Sequence, residues 1–285
     1  WVSAVAPIQN RGFVAGRLDG SIDIYDTAAG QTGDVFKAKA SPDFMPIVKY
    51  EHIVAHSNIP VVAESEPNDS VGQAELVELP VKYQGKIQNT DSSGATVAID
   101  DDLFGFEASQ GDQWIFEVNA ERQKSMLDSK IEVLDSEGEP VPRVVLRSLR
   151  NSLIEFRSVS SEQKGFRFAN YEETKLDEYL YVNGEVLKHF RQRRGPDSDS
   201  VFYPENGARQ GYFDTTPRSH PLGQVAYVVR PYPVGTELPD NGLPVFTVNY
   251  ENDDSSDRKL GRDSRLHFAA PADGTYFLRI SDVRD

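Results

Sequence analysis

The sequence predicts an all-β chain, and three observations carry the prediction. Helical periodicity is scarce over the 285 residues. Short alternating or apolar runs rich in Val, Ile, Tyr and Phe recur from end to end, interrupted by Gly, Pro, Asn and Asp. Dipeptides that favour tight turns, such as Asp19-Gly20, Gly111-Asp112 and Asn183-Gly184, separate the runs.

In chain order, two short strands flank Asp19-Gly20, which supplies the positive φ that a hairpin needs. Residues 31–63 read as a connector that includes Ile53-Val54-Ala55. Ser70 and Gln73 have the spacing of a capping box for a single helical turn through Ala74–Leu76. Strands are expected over 81–87, 103–107, 113–119 and 131–134, with Ser136-Glu137-Gly138 turning the chain after the last. Residues 141–244 differ in character. They are proline-rich and hold the basic clusters Arg143, Arg147, Arg150 and Lys188, Arg191, Arg193, Arg194, together with a hairpin over 180–187 whose Asn183-Gly184 suits a type I′ turn. Simple alternation returns at 246–250, 265–268 and 275–280.

Thirty basic against 45 acidic residues give a net charge of −15. Such a surface repels nucleic acid and anionic lipid, and suits calcium or cationic partners. The absence of cysteine removes disulfides, thiolate chemistry and Cys-ligated zinc. No apolar run approaches the ~20 residues of a membrane-spanning helix. Beginning at Trp1 and stopping at Asp285 just after an apparent strand, the chain reads as a piece of a longer polypeptide, whose other domains are its first expected partners.

Hard oxygen donors concentrate in two short segments, Glu64-Ser65-Glu66-Pro67-Asn68-Asp69-Ser70 and Asp100-Asp101-Asp102. Calcium takes six to eight oxygens from carboxylates, amides and backbone carbonyls, so these stretches point to a structural calcium site. Pro67 helps by disfavouring helix at Glu66. The alternative is a set of solvated acids before a capped turn, with Asp69 or Ser70 as N-cap. Asn252, Asp253, Asp254, Asp257 and Asp263 form a second, looser acidic group.

An ordered series of motifs resembles the bacterial pre-peptidase C-terminal domain family, whose relatives include the collagen-binding domains of clostridial collagenases. Glu64-x-Glu66-x-Asn68-Asp69 opens it, followed by Gly85-x-Ile87, Asp100-x-Asp102-x-Phe104-x-Phe106 and Gly111-Asp112-x-Trp114-x-Phe116. Ser125-x-Leu127-Asp128 leads to Asp135-x-x-Gly138, and the ending runs through Asn252-Asp253-Asp254, Asp263-Ser264-x-Leu266-x-Phe268 and Asp273-Gly274-Thr275-Tyr276. The resemblance covers 64–140 and 245–285. It implies a jelly-roll-like β-sandwich with 141–244 as a long inserted β-rich subdomain, since loop tips tolerate insertions. It further implies metal ligands among Glu64, Glu66, Asn68, Asp69, Asp100 and Asp102, the choice among Asp100, Asp101 and Asp102 staying open. Residues 11–30, with Gly16, Asp19-Gly20-Ser21 and Tyr25-Asp26, resemble the end of a WD-repeat propeller blade, so that 1–63 is a partial blade and linker.

The function expected from these residues is non-catalytic. It is a calcium-stabilised accessory module of a larger secreted or cell-envelope bacterial protein, binding extracellular protein or polysaccharide or spacing domains. One alternative is a hydrolase with its site in the insertion, where His220, Asp214 and Ser219 supply triad residue types without a nucleophile-elbow pattern. His52 and His56 have a zinc-like spacing but lack the glutamate of a zincin. The other alternative is a structural spacer beside a propeller.

Overall fold

A computed structural model describes residues 2–8, 12–17, 22–26, 59–87 and 100–283, and the fold is all-β. The chain divides into two units. In the first, β1 (Val2–Ile8), β2 (Gly12–Arg17) and β3 (Ile22–Asp26) form an antiparallel meander in which Gly16 pairs with Ile22 and Gly12 with Asp26. The expected strands on either side of Asp19-Gly20 are β2 and β3. That turn itself, Ile53-Val54-Ala55, His52 and His56 lie outside the described residues.

The second unit opens with three short strands, β4 (Val61–Ala63), β5 (Glu75–Val77) and β6 (Lys82–Gln84), which form a strap along the sandwich. Between β4 and β5 the chain makes a turn, closed by Ala74 N donating to Ser70 O at 2.9 Å and by the Ser70 hydroxyl donating to Gln73 Oε1 at 2.6 Å. The helical turn expected through Ala74–Leu76 does not form, because pairing with β7 draws Glu75–Val77 into strand β5. Next come β7 (Asp102–Ala108), β8 (Gln113–Glu117) and β9 (Ser129–Leu134). After the insertion the chain returns through β19 (Glu251–Asn252), β20 (Arg265–Ala269) and β21 (Gly274–Asp282). One sheet has the order β19-β9-β21-β7-β5, and β20 pairs with β8 to cover it.

Residues far apart in sequence meet here because each strand alternates. Phe106, Ile131, Val133 and Tyr276 from the first sheet pack on Phe116, Leu266 and Phe268 from the second. The Phe106 ring meets Phe116 at 5.2 Å and Phe268 edge-on at 5.9 Å. Trp114 and Phe116 serve strand packing, as their alternation suggests.

The insertion is a small barrel. Its strands are β10 (Pro142–Glu155), β11 (Gly165–Phe168), β12 (Tyr179–Val182), β13 (Glu185–Arg191), β14 (Ser200–Phe202) and β17 (Val225–Tyr232), with a two-stranded ribbon of β15 (Pro204–Glu205) and β16 (Ala208–Arg209). The order β11-β14-β13-β12-β17-β10 closes through a β10–β11 pairing, which removes the free edges. Phe166, Phe168, Leu180, Val182, Leu187, Phe202 and Val228 fill the interior. The β12–β13 hairpin turns at Asn183 (φ 44°) and Gly184 (φ 91°), the paired positive values of a type I′ turn. β18 (Val245–Asn249) pairs with the first half of β10, so the strand that follows the insertion extends the insertion's own sheet.

Two polar hubs hold this arrangement. The first is at the heart of the barrel, where Glu185 and Arg209 are fully buried. Arg209 Nε and Nη2 reach the two Glu185 oxygens at 2.7 and 3.0 Å, and His220 Nε2 lies 2.7 Å from Glu185 Oε2. The second joins barrel to sandwich. Asp214 Oδ2 accepts from Arg143 Nη1 at 2.6 Å and from His267 N at 2.9 Å, while Asn252 Nδ2 donates to the Asp214 carbonyl at 2.6 Å.

Breaking one side of a buried pair leaves the other charge uncompensated, which typically costs about 3–5 kcal/mol. Arg209→Met is therefore expected to destabilise the protein by roughly that amount, read from the midpoint of urea unfolding. Glu185→Met combined with Arg209→Met should recover much of the loss.

Candidate metal centre

β4 is exposed throughout and β5 and β6 nearly so, and the strap meets the core through Val71, Ala74, Val77 and Leu79 and through Tyr83, whose ring lies 4.3 Å from that of Phe104. Backbone pairing holds it as well. Glu64 N donates to Gln84 O and Leu103 N to Asn68 O, both at 3.1 Å, and β5 runs parallel to β7 with Leu76 opposite Gly105. These bonds set the end of β4, the loop after it and the start of β7 against one another.

Glu64, Glu66 and Asp102 thereby converge, each offering a carboxylate oxygen within 4.8 Å of the other two. Glu64 is fixed from behind by Lys86 N, which donates to its Oε1 at 2.6 Å; Asn68 N donates to Glu66 Oε2 at 3.2 Å. Gly85 lies alongside. A Cβ there would fall 1.9 Å from Glu64 Oε2, so only glycine leaves the carboxylate its place.

The polar inventory is unbalanced. Asn68 is 3 % exposed and Asp102 4 %; Asn68 Oδ1 is buried without a hydrogen-bond partner, while Asp102 and Glu64 can hydrogen-bond each other only through a proton that one of them keeps. A buried acceptor left unmade costs about 1–3 kcal/mol, and more when charged. Burial, then the charge of Glu64 and a hydrogen bond shared with it, push the Asp102 carboxyl from 3.8 up to about 8. Burial, and next the charge of Asp100, raise Glu66 as well. Two oxygens on one calcium ion, at bond lengths of ~2.4 Å, can lie at most ~4.8 Å apart. The three carboxylates therefore lie close enough together to hold one metal ion.

Of the six residues expected as ligands, the structure brings together Glu64, Glu66 and Asp102, with Asn68 buried in the loop between the first two and β5. Asp69 is exposed and, like Asp100, stands outside the three-carboxylate set, although the charges of both act on Glu66. Among the three consecutive aspartates it is Asp102, the first residue of β7, that joins the cluster.

The second acidic group divides. Asp257 accepts from the Ser255 hydroxyl and from Lys259 N, Asp263 from Ala120 N, Glu121 N and Arg122, and Asn252 from Arg265 N. Asp253 and Asp254 instead meet Asp128, which sequence inspection had no local signal to link to them. Burial and the neighbouring Asp253 raise Asp254 to about 6.

The catalytic residue types of the insertion have separate partners. His220 is buried on Glu185, Asp214 binds Arg143 and the His267 amide, and Ser219 Oγ accepts from Ser161 N at 3.1 Å. Lys188 of the basic run lies over the rings of Tyr179, Tyr203 and Tyr212 at 5.6, 5.3 and 5.8 Å and 3.6 Å from Asp177. No family model, curated protein or solved structure matches this chain.

A carboxyl whose folded-state pKa is raised stabilises the fold fully below its unfolded value, and that contribution is lost as pH rises through the folded value. In a chelator, Asp102 should thus cost the protein stability between about pH 4 and pH 8. Asp102→Asn should flatten that slope, as read from melting temperatures across the range.

Proposed function

We propose that the chain is a non-catalytic accessory β module of a larger exported bacterial protein, a sandwich of the pre-peptidase C-terminal type stabilised by calcium and serving to bind an extracellular partner. The observation that carries this reading is the meeting of the Glu64, Glu66 and Asp102 carboxylates beside the buried Asn68. Calcium held there ties the strap to the first residue of β7 and replaces the proton that Asp102 otherwise keeps. The ion acts as a clip between the strap and the start of β7, which is a structural role. Among the described residues no helix is long and apolar enough to cross a membrane.

The test is a thermal melt in EDTA and in millimolar calcium. A ligand bound only by the folded state at a hundred times its Kd adds about 2.7 kcal/mol. Wild type should gain on that order. Glu64→Gln, Asp102→Asn and Gly85→Ala should each lose the gain, and Asp69→Asn, at an exposed position outside the cluster, should keep most of it. A wild type indifferent to calcium would overturn the proposal.

A further inference from the structure

Three Asn-Gly pairs occur in the chain, Asn183-Gly184, Asn206-Gly207 and Asn241-Gly242. Such a pair carries its own chemistry, because a glycine amide, with no side chain to hinder it, can reach the preceding carboxamide carbon once the backbone opens. The fold treats the three differently. Asn183-Gly184 turns the β12–β13 hairpin, which is registered over four residue pairs and flanked by Val182 and Glu185, both fully buried. A hydrogen bond from the Gly184 backbone also reaches the Tyr181 hydroxyl. Asn241 is held at both ends of its carboxamide: Nδ2 donates to Ser148 O at 2.9 Å and Oδ1 accepts from Leu243 N at 3.2 Å. The Gly242 amide is occupied too, donating to Asp240 Oδ1 at 2.8 Å.

Asn206-Gly207 has none of this protection. It turns the β15–β16 ribbon, whose pairs are Pro204–Arg209 and Glu205–Ala208, and Pro204 has no amide proton to give. Outside the ribbon one further bond closes it, from Gln210 N to Tyr203 O at 2.9 Å. Both turn residues are exposed, no partner holds the Asn206 carboxamide among the described residues, and the space beside Gly207 is open. A two-stranded ribbon this short is marginal by itself and opens at little cost, whereas opening β12–β13 would uncover the barrel interior. We propose that Asn206 is a site of spontaneous deamidation, with water as co-reactant. The Gly207 nitrogen gives up its proton and attacks Asn206 Cγ. The bond from Cγ to the side-chain nitrogen breaks, and that nitrogen takes up the proton and departs as ammonia. Water then adds to either carbonyl of the resulting succinimide and opens it to aspartate or isoaspartate, with no change of oxidation state. The product sets a new carboxylate beside Glu205, whose partner Lys259 is already shared with Asp257. Its isoaspartate form also lengthens the main chain within a tight turn.

The inference depends neither on the metal nor on a binding role. The experiment incubates the whole chain at neutral and at alkaline pH, folded and in concentrated urea. Mass spectrometry of each Asn-Gly peptide then reads the exchange of amide for acid, and an isoaspartate assay reads the second product. In urea the three pairs should convert at similar rates, because the same two residue types react in each. In the folded chain Asn206 should keep its urea rate to within about threefold, while Asn183 and Asn241 slow at least tenfold. Conversion should quicken with pH, since the attacking nitrogen must lose its proton. Asn206→Gln, whose longer side chain would have to close a larger ring, should remove the fast phase from the folded chain. Asn206 protected as strongly as the other two would overturn the proposal. So would faster conversion at Asn183 or Asn241, or a fast phase that persists in Asn206→Gln.

Discussion

Burial and the neighbouring Glu64 carboxylate raise the Asp102 carboxyl well above the usual carboxylate range, and the attachment of the strap depends on how the crowding of Glu64, Glu66 and Asp102 is answered. The chain places them there through backbone pairing: β5 on β7, Glu64 on Gln84, Leu103 on Asn68. A proton on Asp102 relieves part of the repulsion, as its raised pKa indicates. A divalent cation would relieve more, by answering the three carboxylates at once. A Cβ at Gly85 would meet the Glu64 carboxylate and shift it, so the glycine leaves room for that carboxylate beside Asp102.

The insertion is tied to the sandwich by a different kind of contact. Asp214 stands at the junction, binding Arg143 on β10, the His267 amide on β20 and, through its carbonyl, Asn252 on β19. Thr216 Oγ1 accepts from the amides of Asp253 and Asp254 beside it, at 3.0 and 3.2 Å. A polar junction of this sort fixes orientation by hydrogen-bond geometry and leaves each body its own apolar core.

The strand content was legible because period-two alternation is a local property, and β7, β8, β9, β20 and β21 all lie where it placed them. The hairpin at Asn183-Gly184 was legible because positive φ at two successive residues has few sequence solutions. Closure of the barrel was not, since the β10–β11 pairing and the Glu185–Arg209 contact join residues whose sequence neighbourhoods carry no mark of each other. For the metal cluster the sequence supplied the residue types and the two segments. It could not choose Asp102 over Asp100 and Asp101, because that depends on where β7 begins relative to the strap.

The most direct measurement is a crystal structure of the chain grown in calcium, with anomalous data collected to locate the ion. The account predicts one strong peak within ~2.4 Å of oxygens from Glu64, Glu66 and Asp102. Data that leave those carboxylates without a peak, or that place the ion only at Asp128, Asp253 and Asp254, would contradict it.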